Sequence, residues 1–155
     1  MHEPLYSLAY FSRNRITGGS VELQRQILQI LDSARRRNAA CGVTGALLFS
    51  NGCFAQVLEG PRDDVEAVFE TIQCDVRHSD VTVLHLHPVA QRSFGAWSMA
   101  FSGIVGVSHN PGLAADGMHD ADGILATVAG QNLLLALRDV VHRDDLALRD
   151  EAAPA

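Results

Sequence analysis

Apolar positions along the chain fall into short runs and helical stripes, and their order predicts the elements. Leu5 to Ser12 is rich in aromatic and aliphatic residues and gives way to Arg13-Asn14-Arg15, the pattern of a first strand. Gly18-Gly19-Ser20 breaks that run, with Ser20 expected as a helix N-cap. From Val21 to Asn38 the residues Ile27, Ile30, Leu31 and Ala34 follow helical spacing, and the next turn of the stripe lands on Asn38. A polar amide is therefore expected on a buried face. Val43 to Ser50 and Cys53 to Gly60 flank Asn51-Gly52, a dipeptide suited to a type I′ turn, and predict an antiparallel hairpin. Pro61, Asp63 and Asp64 open a second helix whose apolar face is Val65, Val68, Phe69 and Ile72, ending near Cys74 or Asp75. Val81 to Pro88 and Phe94 to Phe101 predict two further strands.

The order β-α-β-β-α-β-β predicts an α+β, ferredoxin-like sheet with two helices on one face. Beyond Phe101 a Gly-, Asn- and Pro-containing stretch leads to helical signal from about Asp120, with Gly130 as an expected break. Leu133, Leu137, Val140 and Val141 share a helical face there, widened by Leu134 and Leu135. Residues 1–103 are thus expected to form the core domain. Residues 104–155 are expected to form a C-terminal helical extension covering the other sheet face and ending in a frayed tail from Asp144.

Composition narrows the function classes. With 155 residues, 47% apolar and 19% charged, the chain has the balance of one soluble domain, and no run is long enough for a membrane span. The N-terminal Met1-His2-Glu3-Pro4 lacks the basic-then-apolar plan of a secretory signal, so a cytoplasmic location is expected. Three cysteines, Cys41, Cys53 and Cys74, without C-x-x-C spacing argue against a disulfide framework or zinc ribbon. The net charge of −6 supplies no basic field for nucleic acid. All 12 basic residues are Arg, which excludes Schiff-base lysine chemistry and a Walker-type lysine.

Strand alternation brings polar residues together. Phe54, Gln56 and Leu58 share one face, as do Tyr6, Leu8 and Tyr10, and as would Trp97, Met99 and Phe101. If these faces meet the helices, Tyr10, Gln56 and Asn38 converge between apolar walls. Buried amides and phenols need partners, because each one left unsatisfied costs about 1–3 kcal/mol. Spacing leaves two alternatives: the cluster satisfies itself, or a polar ligand between the helices completes it.

Five segments bear on that choice: Leu5-Tyr6-Ser7-Leu8-Ala9-Tyr10-Phe11-Ser12, Asn38-x-x-x-Gly42-Val43-Thr44-Gly45, Gly52-Cys53-Phe54-Ala55-Gln56-Val57-Leu58-Glu59-Gly60, Asp75-Val76-Arg77-His78 and Arg92-x-Phe94-x-x-Trp97-Ser98-Met99. In this order over residues 5 to 101, the chain resembles the BLUF family of blue-light sensors. The resemblance implies FAD, or sometimes FMN, with its ring system between the two helices. It implies that Tyr10 is the photochemical electron and proton donor and that Gln56 is the switching glutamine. Asn38 corresponds to the amide that pins the flavin carbonyl and N3 edge. Arg77, His78 and Asp75 would line the other edge, and Ile30 would pack against the ring. Trp97 and Met99 would relay the signal to the last strand, though sequence does not say which lies next to Gln56. A serine common in relatives one helical turn before Asn38 is replaced by Ala34.

Other features have simpler readings. Arg35-Arg36-Arg37 could meet ligand phosphates, but cations also suit a helix C-terminus. Gly18-Gly19-Ser20 reads as a loop rather than a phosphate cradle. His85 and His87 at i, i+2 have no third metal ligand in the sequence pattern, so no metal site is expected. The function expected is a non-enzymatic photoreceptor without a fused output domain. It would act on a downstream effector protein in trans or through a homo-oligomer, dimer or larger. The alternatives are an acylphosphatase-like enzyme using Arg77 and Asn38, or a flavin-free adaptor.

Overall fold

The computed structural model describes residues 4–50, 52–103 and 127–137. Its elements run β1 (Leu5–Asn14), α1 (Ser20–Cys41), β2 (Thr44–Ser50), β3 (Cys53–Pro61), α2 (Arg62–Gln73), β4 (His78–Val89) and β5 (Ala100–Gly103), followed by a helical run over 128–137, α3. The five strands form one sheet in the order β4-β1-β3-β2-β5. Neighbours among the first four pair antiparallel, and β5 adds to β2 in parallel. This is the expected ferredoxin-like plan with one strand added at its edge.

The stripes assign the faces as the spacing predicts. Ile27, Leu31 and Ala34 of α1 and Val65 and Val68 of α2 pack with Leu8, Tyr10, Phe54, Leu58 and Phe101 into one cluster. Ala9, Ala46, Leu48, Ala55 and Val57 point the other way and meet Leu133, Leu134 and Leu137 of α3. The extension therefore covers the second face over its described part, while Val140, Val141 and the tail lie outside the described residues.

Three local readings are corrected. Ser20 is the first helical residue rather than the cap: Gly19 holds the N-cap position and no side chain bonds the first turn. Gly130 does not break α3 but lies within it, and Thr127, three residues earlier, caps the helix by accepting the Gly130 N–H at 2.9 Å on Oγ1.

The third correction bears on the site. The strand expected from Phe94 is a strand only from Ala100. Upstream, the Glu59 side chain accepts the Ser93 and Phe94 N–H groups at 2.7 and 2.8 Å, and Trp97 N–H turns back to Phe94 C=O at 3.1 Å. Those amides are committed to a side chain and a turn, so no ladder forms there. Arg92 reinforces the turn by donating to Thr44 Oγ1 and to the Glu59 and Gly42 carbonyls. Strand alternation consequently fails for Trp97, which packs against the α3-side cluster while Met99 and Phe101 enter the α1-side cluster.

Candidate functional site

Between α1 and α2, above the central strands, lies a cleft of about 260 Å³, close to the roughly 300 Å³ at which small-molecule sites begin. Helix α1 lines it with Ile30, Ser33, Ala34 and Arg37, and α2 with Thr71 and Ile72. Tyr10, Leu47, Phe54 and Gln56 form its floor, and Asp75, Arg77 and His78 close one end. Ile30, Ala34, Leu47, Phe54 and Ile72 give it apolar surface, interspersed with polar side chains from both helices and the floor.

Tyr10 and Gln56 occupy directly paired positions of β1 and β3, and the phenol donates to Gln56 Oε1. Burial pushes the Tyr10 pKa well above the ordinary phenol value, with Asp75 adding to the rise and Arg37 opposing it. The phenol is therefore neutral at rest. At the other end of the amide, Gln56 Nε2 donates to Met99 Sδ at 3.5 Å. A thioether is a weak acceptor, and it is the one acceptor this nitrogen has among the described residues. A buried amide with two N–H bonds, facing a cleft and met by a single sulfur, fits a flat ligand edged with carbonyl or ring-nitrogen acceptors such as a flavin.

The closed end carries charge that is already paired. Arg77 grips Asp75 through Nε and Nη2 at 2.6 to 3.1 Å. Burial opposes ionisation of Asp75, but the hydrogen bonds and charge of Arg77 outweigh it and hold its carboxyl below the usual range. His78 is anchored through both ring nitrogens, Nδ1 to Ser12 Oγ and Nε2 to Ile72 C=O, each at 2.7 Å. The carbonyl requires Nε2 to carry a proton, which leaves Nδ1 of the neutral ring to accept from Ser12.

Of the residues expected from sequence, Tyr10, Gln56, Ile30, Asp75, Arg77 and His78 meet in this cleft. Met99 lies behind Gln56, and Trp97 is on the opposite side of the sheet. Asn38 is fully buried but does not line the cleft, and its Nδ2 donates to Ser98 C=O at 2.8 Å. Arg77 and Asn38 thus do not face one common pocket, as the acylphosphatase alternative needs. Ser33, Arg37 and Thr71 complete the lining without having been singled out as wall residues. Ile30, Ala34 and Arg37 are spaced i, i+4, i+7, so extending the α1 stripe by that turn would have found the arginine. Ser12 escaped because its role depends on the pairing of Asn14 with His78, which brings β4 beside β1.

The family model described as "Sensors of blue-light using FAD" (BLUF) matches residues 5–100. A photoactivated adenylate cyclase subunit beta of Euglena longa is 42% identical over 71 residues, 45% of this chain and 8% of that protein. This chain therefore corresponds to a small part of that relative. The dark-state structure of BlrB, a BLUF protein, is similar with a TM-score of 0.61 and 35% identity over 66% of this chain and 75% of that one. The ground state of BlsA gives a TM-score of 0.62 and 27% identity over 88% of this chain and 87% of that one.

Proposed function

The chain belongs to the BLUF family of blue-light sensors using FAD, and from that premise we propose that it is a photoreceptor whose switching pair is Tyr10 and Gln56. The observation that carries this is the Tyr10-to-Gln56 hydrogen bond with only a thioether behind the amide. A bound flavin supplies absorption of blue light and, once excited, a strong demand for an electron and a proton. Tyr10 is the donor, since a neutral buried phenol can release both and recover both at the same oxygen. Gln56 is the switch, since an amide that turns over exchanges an acceptor for donors at each of its ends. The Met99 contact is cheap to break, which keeps two hydrogen-bond arrangements close enough in energy for a short-lived population shift.

Ile30 supplies an apolar wall, Arg77 and Asp75 form a rigid polar end, and His78 braces that end against β1 and α2. Asn38 lies behind the cleft lining and holds Ser98 C=O, so contact between its amide and a flavin carbonyl requires the side chain to turn toward the ligand. FAD is the cofactor assigned, with FMN the smaller substitute. The output leaves through Met99, β5 and α3, with Trp97 on the α3 side as the reporting residue. Its recipient is an effector protein in trans or a homo-oligomer, dimer or larger, in the cytoplasm. The core sensor spans 1–103 and the extension 104–155, and the protein itself is not an enzyme. Among the described residues no helix is long and apolar enough to cross a membrane.

The experiment is an absorption spectrum of purified, flavin-supplied protein before and after blue light. A flavin band that shifts reversibly to longer wavelength supports the reading. Protein that stays colourless when supplied with FAD and with FMN, or holds flavin without a shift, overturns it.

A further inference from the structure

Three consecutive carbonyls in the segment entering β5 are each held by a different donor. Trp97 C=O accepts from Gly45 N–H at 3.2 Å, Ser98 C=O from the Asn38 amide at 2.8 Å, and Met99 C=O from Arg35 Nε at 2.9 Å. Two of these donors are side chains of α1 spaced three residues apart, hence on one helix face. The neighbouring arginines do other things: Arg36 pairs with Asp32 at 3.0 Å in solvent, and Arg37 lines the cleft. The residue whose carbonyl Arg35 holds is also the one whose sulfur meets Gln56.

We propose that Arg35 and Asn38 form a latch by which α1 fixes the Trp97–Met99 segment, with Arg35 a positioning residue that sets how readily Met99 leaves Gln56. A backbone shift that withdraws the sulfur must first take the Met99 carbonyl off a charged donor, and such bonds are about twice as strong as neutral ones. Gly45, which holds the Trp97 carbonyl, is itself packed closely on β3, where an added Cβ would sit 2.1 Å from Val57 O. β5 begins at the next residue, Ala100, so the segment that the latch holds is also the route to the sheet edge. Only the consequence in light rests on the sensor reading; the latch itself does not.

R35Q, with R36Q as a surface control, tests this in two measurements. In the dark without flavin, hydrogen–deuterium exchange of peptides covering 94–103 should quicken about tenfold in R35Q, the loss expected for one hydrogen bond to a charged group, and not in R36Q. With flavin bound, R35Q should keep its flavin affinity, because Arg35 is outside the cleft, while thermal recovery after illumination changes by about threefold or more. Exchange or recovery equal to wild type in R35Q overturns the proposal, as does an equal change in R36Q. If R35Q does not fold, R35M decides: it keeps a long side chain without any donor, so unchanged exchange in it also overturns the latch. Loosened exchange in R35Q together with a wild type that shows no light shift would support the latch and sink the sensor reading.

Discussion

Tyr10 and Gln56 stand directly opposite one another in the β1–β3 ladder, and the hydrogen bond between them is made across that rung. Register alone therefore sets the geometry of the pair. A one-residue slip of either strand would move its side chain to the other sheet face, where α3 packs, so the buried faces of two strands protect the alignment. The site is as rigid as the sheet, and its one soft contact is the sulfur behind the amide.

Gln56→Leu and Tyr10→Phe should each keep bound flavin and lose the reversible spectral shift. On the proposed mechanism the first removes the group that turns and the second the proton that starts the turn, while both leave the apolar walls in place. Light-minus-dark difference spectra check this. A variant that retains a full shift removes its residue from the switching pair.

Ala34 lies within the cleft, one helical turn before Asn38. Ala34→Ser adds a hydroxyl beside the ligand space, where it can bond whichever arrangement of Gln56 offers it a partner. The expected outcome is a dark-recovery rate changed by severalfold, since even a net hydrogen bond of about 1 kcal/mol corresponds to a factor of roughly five. An unchanged rate would show that the hydroxyl meets neither state.

The fold and much of the cleft were legible because they depend on periodicity. The α1 stripe placed Asn38 inside, the β2–β3 hairpin that the Asn51-Gly52 dipeptide predicts is present with Gly52 at φ 95°, and alternation put Tyr10, Phe54 and Gln56 on one face. What failed depended on contacts distant in sequence. The turn before β5 is held by Glu59, 34 residues before Ser93, and Gly95 is its local signal, too weak alone to outweigh the apolar run around it. That turn is what separates Trp97 from Met99. The Ser20 and Gly130 differences are of another kind: a cap one residue earlier in α1, and a glycine tolerated inside α3 where a break was expected.

Glu59 should be among the most sensitive polar positions. It is 2% exposed, and its two oxygens take the Ser93 and Phe94 N–H groups and the Thr44 hydroxyl. Glu59→Ala strands two backbone donors and should lower unfolding free energy by about 3 kcal/mol. Urea denaturation measures the loss, and the single tryptophan, Trp97, whose N–H closes the turn on Phe94 C=O, should change its fluorescence in the folded state. A loss below about 1 kcal/mol would mean that the turn is held by Arg92 instead.

Alkaline pH probes the burial of Tyr10 directly. In the unfolded chain its phenol titrates near the ordinary value of 10.0, whereas in the folded protein burial, helped by Asp75 and opposed by Arg37, raises the pKa. Between the two values the folded state keeps a proton that the unfolded state has lost. Unfolding then releases a proton, so stability falls as pH climbs above 10 toward the folded pKa, and below 10 this group contributes no pH dependence. Urea midpoints from pH 9 to 11.5 should decline more steeply for wild type than for Tyr10→Phe, which has no proton to lose at that position. The wild-type-minus-variant ultraviolet spectrum should show phenolate absorbance only as the protein unfolds. Equal slopes, or phenolate appearing near pH 10 in folded protein, would mean that solvent reaches the hydroxyl, and a phenol open to water could not stay committed to Gln56.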